Sequence, residues 1–287
     1  MQPFRLHFSP RLLVPAFCLA LSAGAVPVRG HGAAPDRLAA LAAALERTPD
    51  NAGLLVEQAD LLVEHGDHAV AWASLERAGK LAPEGLPIER VRARLLLDEG
   101  RIVEAVAQLD NAVKRSPDDV PALTLRARAH QAQGRREASL ADYRLACAAS
   151  SGLAGDLAIE AADAFVAAGQ PEEAGGVLKK SLRTAGKVPS ILVRLIDIEV
   201  SLGRPAAAVE WAEVMKSQAP RPEPWMARRA ELLALAGKTE EARAAWIELR
   251  DRLAGLPSLE RGSPALRPLA ERIAKALASL PVPPSAG

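Results

Sequence analysis

Small and large apolar residues recur along this chain at fixed distances from a row of six glycines. Consecutive glycines are 34 or 35 residues apart: Gly66, Gly100, Gly134, Gly169, Gly203 and Gly237. A small residue stands seven positions before most of them, at Ala59, Ala93, Ala127, Ala162 and Ala230, with Ile196 as the exception. Another stands five positions after each glycine, at Ala71, Ala105, Ser139, Ala174, Ala208 and Ala242. A constant period of this length indicates a repeat architecture.

The spacing predicts that each repeat is a pair of antiparallel helices. Small residues lie where two helix axes approach, and larger ones fill the space beside them, nine positions after each glycine: Leu75, Leu109, Tyr143, Leu178, Ala212 and Trp246. Glycine ends the first helix in a left-handed conformation, and a proline closes most units. First helices are predicted near 52–65, 88–99, 122–133, 156–168, 190–202 and 224–236, and their partners near 68–81, 102–115, 135–149, 171–184, 205–218 and 239–254.

These residues resemble the tetratricopeptide repeat, a helix–turn–helix unit of this length. The resemblance covers roughly residues 49–254 and weakens in repeats 4–6, where Ser151, Gly186 and Ala254 replace the closing proline. It implies an all-α fold: a right-handed α-solenoid of about six helix–turn–helix repeats with capping helices at both ends. It also implies that the first helices line a concave face that binds a protein or peptide.

Segments on either side of the repeats divide the chain further. Residues 1–25 are typical of a secretory signal peptide, with a basic start, an apolar run and a small-residue cleavage site after Ala25 or after Gly30. An uncleaved membrane anchor is the alternative, although residues 12–28 are short for a span. We expect a half-repeat capping helix in 31–49, six repeats in 50–254, a capping helix in 264–280 and a disordered tail in 281–287.

Composition and motifs argue against catalysis and against nucleic-acid binding. The net charge is +1, and becomes −1 if the leader with its two arginines is removed, so bulk charge does not favour nucleic acid. No nucleophile elbow, phosphate loop or dinucleotide fingerprint is present. His65 and His68 flank one turn but lack the further ligands that zinc requires. Cys147 is the one cysteine outside the leader and predicts no internal disulfide. We therefore expect no enzyme activity, no catalytic residues, no metal and no cofactor.

Charges on the predicted concave face change sign along the chain. By the resemblance, the groove-facing positions lie ten and six residues before each glycine: Val56 and Asp60, Arg90 and Arg94, Thr124 and Arg128, Ile159 and Asp163, Val193 and Asp197, Ala227 and Glu231. Repeats 2 and 3 thus present Arg90, Arg94 and Arg128, and the later repeats present Asp163, Asp197 and Glu231. Because arginine forks bind carboxylates well, the basic half is predicted to engage an acidic segment or a C-terminal carboxylate. A merely solvated helix face is the alternative.

Two further features bear on binding. Trp225 begins a first helix beside two prolines and is a candidate for partial exposure, with packing against the next repeat as the alternative. The interval between Gly134 and Gly169 is one residue longer than the others, and the extra residue falls within 150–155. Two interpretations are open: a flexible joint between repeats 3 and 4, or a loop insertion that the fold tolerates.

Three functions are compatible with the sequence. The first is an exported, periplasmic or secreted, non-enzymatic adaptor that binds a protein or peptide in its groove, without nucleic acid and without stable membrane insertion once the leader is cleaved. The second is an accessory factor of envelope assembly or maturation that holds unfolded clients. The third is a metal-binding or enzymatic role at an unrecognised site, for which a new N-terminus at His31 is the candidate.

Overall fold

A computed structural model describes residues 34–82, 84–85, 87–257 and 264–280. The predicted leader, both of its cleavage sites, His31 and the predicted tail 281–287 lie outside the described residues. The described part is helical and contains no strand. Its helices are α1 (Ala34–Arg47), α2 (Ala52–His65), α3 (His68–Leu81), α4 (Ile88–Asp98), α5 (Ile102–Arg115), α6 (Val120–Ala132), α7 (Arg136–Ala149), α8 (Gly155–Ala167), α9 (Pro171–Ala185), α10 (Pro189–Ser201), α11 (Pro205–Gln218), α12 (Glu223–Leu235), α13 (Thr239–Ala254) and, after a 3₁₀ turn at Pro264–Leu266, α14 (Arg267–Ser279).

The helix pairs form an all-α solenoid, and α2 to α13 begin and end within two residues of the bounds that the spacing predicts. The periodic glycines adopt φ values between 69° and 82°, the left-handed region in which a side chain is strained. At Gly66 the N–H donates to Val63 O at 3.1 Å, and the next N–H donates to Leu62 O at 2.9 Å. Because a Cβ added at Gly66 would meet nothing within 4 Å, backbone conformation and not space requires glycine there.

Small residues lie where the two helices of a pair cross. Ala59 in α2 and Ala71 in α3 are both fully buried, and Leu75 is buried beside them. The same arrangement in later repeats places Tyr143 and Trp246 in the core at the position of Leu75. Alanine at the crossing lets the two backbones approach, so that the flanking larger side chains pack densely.

The long step between repeats 3 and 4 is filled by packed side chains. Leu153 is fully buried there, and Ser181 Oγ in α9 donates a hydrogen bond to Leu153 O at 2.8 Å. One hydrophobic cluster runs from α6 across this step to α10. This packing favours a tolerated loop insertion over a flexible joint.

The contacts between successive repeats differ for the first and the second helices. Consecutive first helices pack against each other, α2 with α4, α4 with α6 and α8 with α10, whereas α3, α5 and α7 pack on the first helix of the following repeat. Since a chain of repeats curves toward the side on which successive helices come closest, the first helices line the concave face. The last helix, α14, packs on α12 and α13. None of the described helices is both long enough and apolar enough to span a membrane.

Candidate functional site

All seven charged residues at the predicted groove positions lie on first helices, and each forms an ion pair within the chain. Five pairs join successive first helices, or α12 to α14, and we call them the groove ladder. Its members are Arg94–Asp60, Arg128–Glu160, Arg194–Asp163, Arg228–Asp197 and Arg272–Glu231. Arg90 instead pairs with Asp119, the N-cap of α6, at 3.1 Å.

Arginines of the basic half are held tightly by the protein's own carboxylates. Arg94 donates to Asp60 at 2.8 Å and to Glu64 at 3.1 Å. Arg128 donates to both oxygens of Glu160 at 2.6 Å, and the Tyr143 hydroxyl donates to the same carboxylate at 2.8 Å. Burial alone would raise the pKa of Glu160, but the hydrogen bonds from Arg128 and Tyr143 outweigh it and lower the pKa below its usual value. A partner carboxylate would therefore have to displace an internal one.

The row of positions ten residues before the glycines does not line the groove throughout. Val56, Thr124 and Ala227 are buried, with exposures of 5%, 9% and 0%, so the expectation that they face the groove is wrong. Thr124 Oγ1 donates to Val120 O within its own helix at 2.8 Å. These side chains face neighbouring helices, because the buried face of a first helix is wide enough to include this row of positions.

Apart from Arg272 in α14, the residues that complete the ladder stand nine positions before the glycines. Glu160, Arg194 and Arg228 occupy this row, and the groove positions assigned from the sequence omit it. A signal for two of them exists in the sequence. Arg194 and Arg228 follow Asp163 and Asp197, which are carboxylates of the preceding repeat, by 31 residues each. This spacing is about one helical turn shorter than the repeat, so each arginine lies beside the carboxylate on the neighbouring first helix.

A cavity of about 800 Å³ opens on the concave face between α10, α12 and α14. Val193 and Ile196 from α10 and Trp225 from α12 form its apolar lining. Val193 is 39% exposed and Ile196 only 2%. Trp225 is half-buried against the cluster around Leu192 and also lines the cavity. Trp225 is thus partly exposed as predicted, and its buried part packs against the preceding repeat and not, as in the alternative, against the next one.

Charges surround this apolar lining, and Asp197 and Arg228 among them are held more loosely than the charges of the basic half. Asp197, Arg228, Glu231 and Arg272 line the cavity. Arg228 lies 3.5 Å from Asp197 and 3.7 Å from Glu231, too far for a normal hydrogen bond to either. Glu231 accepts a short hydrogen bond from Arg272. Within the described residues Asp197 thus has one distant partner and no hydrogen bond.

The histidines and the cysteine of the described residues lie apart from the groove or in the core. His65 is exposed and His68 half-buried at the first turn, and no metal-binding group of three His, Cys, Asp or Glu occurs in the described ranges. His130 is buried, with Nε2 3.8 Å from Asp142 Oδ2. Cys147 is buried, and this burial raises the pKa of its thiol to about 11.

Comparison with known proteins identifies the repeats. Residues 90–154 and 159–223 match the family model described as "Tetratricopeptide repeat". No curated protein matches the chain. Among solved structures, PilW, titled a widely conserved type IV pilus biogenesis factor, shares 21% identity over 64% of this chain and 86% of its own, with a TM-score of 0.52. YrrB, titled a TPR protein with an unusual peptide-binding site, shares 15% identity over 70% of this chain and 96% of its own, with a TM-score of 0.50. At these identities the two structures show a common fold alone, and the matched segments identify tetratricopeptide repeats over residues 90–154 and 159–223.

Proposed function

We propose that this protein is an exported, non-enzymatic adaptor that binds an extended segment of a protein partner on its concave face. One observation carries the proposal: the cavity between α10, α12 and α14 presents Val193 and Trp225 to solvent inside a ring of charged side chains. Apolar anchors surrounded by polar groups are typical of the energetic centre of an interface. Trp225 also has no acceptor for its indole N–H among the described residues, so this group is available to a peptide carbonyl.

The basic half has a secondary part in this proposal. Arg90, Arg94 and Arg128 lie on the same concave face, but each already binds a carboxylate of this chain. A partner carboxylate would replace an internal ion pair by a similar one. The binding free energy gained there is only the difference between the two pairs and is therefore small. The first contact is therefore assigned to the cavity in repeats 5 and 6, and the arginines extend the binding surface.

Peptide selection with a matched pair of valine variants tests this function. A displayed library of random 12-residue peptides is panned on the purified protein, and the affinity of selected peptides is measured by fluorescence polarisation. Val193→Asp places a charge on the apolar lining, whereas Val103→Asp makes the same change at a 76% exposed valine of α5, on a second helix. We expect V193D to weaken binding at least tenfold, since one buried side chain contributes ~1.5–3 kcal/mol, and V103D to leave it unchanged. Equal affinities of the two variants with intact circular dichroism would reject the groove.

Export is proposed from the sequence of residues 1–25 and has a separate test. N-terminal sequencing of the protein from fractionated cells is expected to begin at Val26 or His31. An unprocessed N-terminus, or recovery of the chain in the cytoplasmic fraction, would contradict export. The metal alternative requires His31 at the new terminus and bound metal in the isolated protein, so sequencing together with metal analysis tests it: a start at Val26 and no bound metal would end it.

A further inference from the structure

Carboxylates and arginines of the groove differ in how far their side chains are exposed to a ligand. In repeats 4 to 6, Asp163 and Asp197 have side-chain exposures of 51% and 55%, and their partners Arg194 and Arg228 have exposures of 36% and 33%. In these two pairs the acid is therefore more exposed than its arginine, whereas in the third pair Glu231 is 34% exposed and Arg272 48%. A ligand that approaches α8 and α10 therefore meets Asp163 and Asp197 before the arginines that pair with them.

Asp197 is the freest of these carboxylates. Asp163 accepts a hydrogen bond from Arg194 Nε at 2.6 Å, and Glu231 accepts one from Arg272. Asp197 has only Arg228 at 3.5 Å, and Arg228 is shared with Glu231 at 3.7 Å. A cationic group can join Asp197 without displacing a hydrogen bond, whereas an anionic group that joins Arg228 must enter between two carboxylates.

Asp197 lies close to the apolar anchor surface. Val193 and Asp197 are four residues apart in α10, and Trp225 and Arg228 are three apart in α12, so each pair shares one helix face. All four line the same cavity. A side chain that packs on Val193 and Trp225 therefore brings its peptide neighbours within reach of Asp197.

On the basis of the function proposed above, we propose the chemistry of the partner: an extended segment with a large apolar side chain and, within one or two residues, a lysine or arginine. The apolar side chain packs on Trp225 and Val193, and the cation pairs with Asp197. This preference is opposite in sign to the acidic ligand that the arginines of repeats 2 and 3 predict.

Charge reversal on both sides of the contact tests the inference. The probe is the tightest selected peptide in two forms that differ at one position beside the apolar residue, lysine or glutamate. The wild type is expected to bind the lysine form about fivefold more tightly, which corresponds to about 1 kcal/mol. D197N should lose this preference, and D197K should bind the glutamate form more tightly. Asp163→Asn is the matched control, since its carboxylate is already hydrogen-bonded, and should keep the wild-type preference.

The outcomes separate this inference from the proposed function. If V193D abolishes binding but D197N keeps the wild-type preference, the groove stands and the basic ligand is wrong. Selected peptides rich in acidic residues would likewise overturn the inference and favour the arginines. If neither V193D nor D197N changes binding while both retain the wild-type helical circular dichroism, the concave groove itself is not the binding surface.

Discussion

Replacing Arg126 by methionine is expected to destabilise the third repeat strongly, because Arg126 joins three helices. Its guanidinium donates to both oxygens of Asp142 in α7, at 2.6 and 2.9 Å, and to Asp110 in α5 at 3.0 Å. The hydrogen bonds with Asp142 raise the pKa of Arg126, so the guanidinium stays charged. Asp142 is 4% exposed and Arg126 17%. The variant R126M fills much of the same volume but leaves the Asp142 carboxylate buried beside His130 alone.

The magnitude follows from the cost of an unpaired buried charge. Breaking a buried ion pair from one side costs ~3–5 kcal/mol, whereas replacing both partners by apolar residues is often nearly neutral. Since Arg126 retains some solvent contact, we expect about 3 kcal/mol for R126M, or ~6–12 °C in Tm for a chain of this size. The double variant R126M/D142L should regain most of this loss.

Thermal unfolding followed by circular dichroism at 222 nm measures both variants. Arg37→Met is the control, because Arg37 and Glu57 pair at 2.6 Å but are 60% and 42% exposed, and an exposed pair contributes at most ~1 kcal/mol. The reasoning is refuted if R126M lowers Tm no more than R37M does, or if the double variant is less stable than R126M.

Two further predictions concern the turns and the pH dependence of stability. Gly134→Ala should lower the free energy of unfolding by ~1–2 kcal/mol, because φ is 72° there. Gly176→Ala lies in α9 with no atom within 4 Å of the added Cβ and should raise it by ~0.5–1 kcal/mol. Urea midpoints that shift in the same direction for both variants would contradict this. Glu160 has a pKa below its usual 4.5 in the folded state, so its contribution to stability is present above 4.5 and is lost as pH falls through the lower folded value. The Tm of Glu160→Gln should therefore fall less steeply than that of the wild type below pH 4.5, and parallel curves would contradict the role of the Arg128–Tyr143 contacts.

The repeat pattern predicts the fold closely because its signals are local. A glycine with positive φ and alanines at the crossing fix where each helix ends and how near its partner lies, and both can be read from single residues. The groove charges illustrate the limit of this approach. Sequence spacing places Arg94 and Arg128 on the correct helices, but whether they are free depends on Asp60 and Glu160, each about one repeat away.

The cavity around Trp225 could not be predicted from the repeat alone, because it depends on the end of the array. Each earlier first helix has a full repeat beyond it, whereas α12 is followed on the concave side by α14. This single helix supplies Arg272 to Glu231, as the next repeat would, and thereby leaves Arg228 without a close hydrogen-bonded carboxylate. In the groove of repeats 5 and 6, where α14 takes the place of a further first helix, the apolar lining therefore coincides with Asp197, the least occupied carboxylate among the described residues of the ladder.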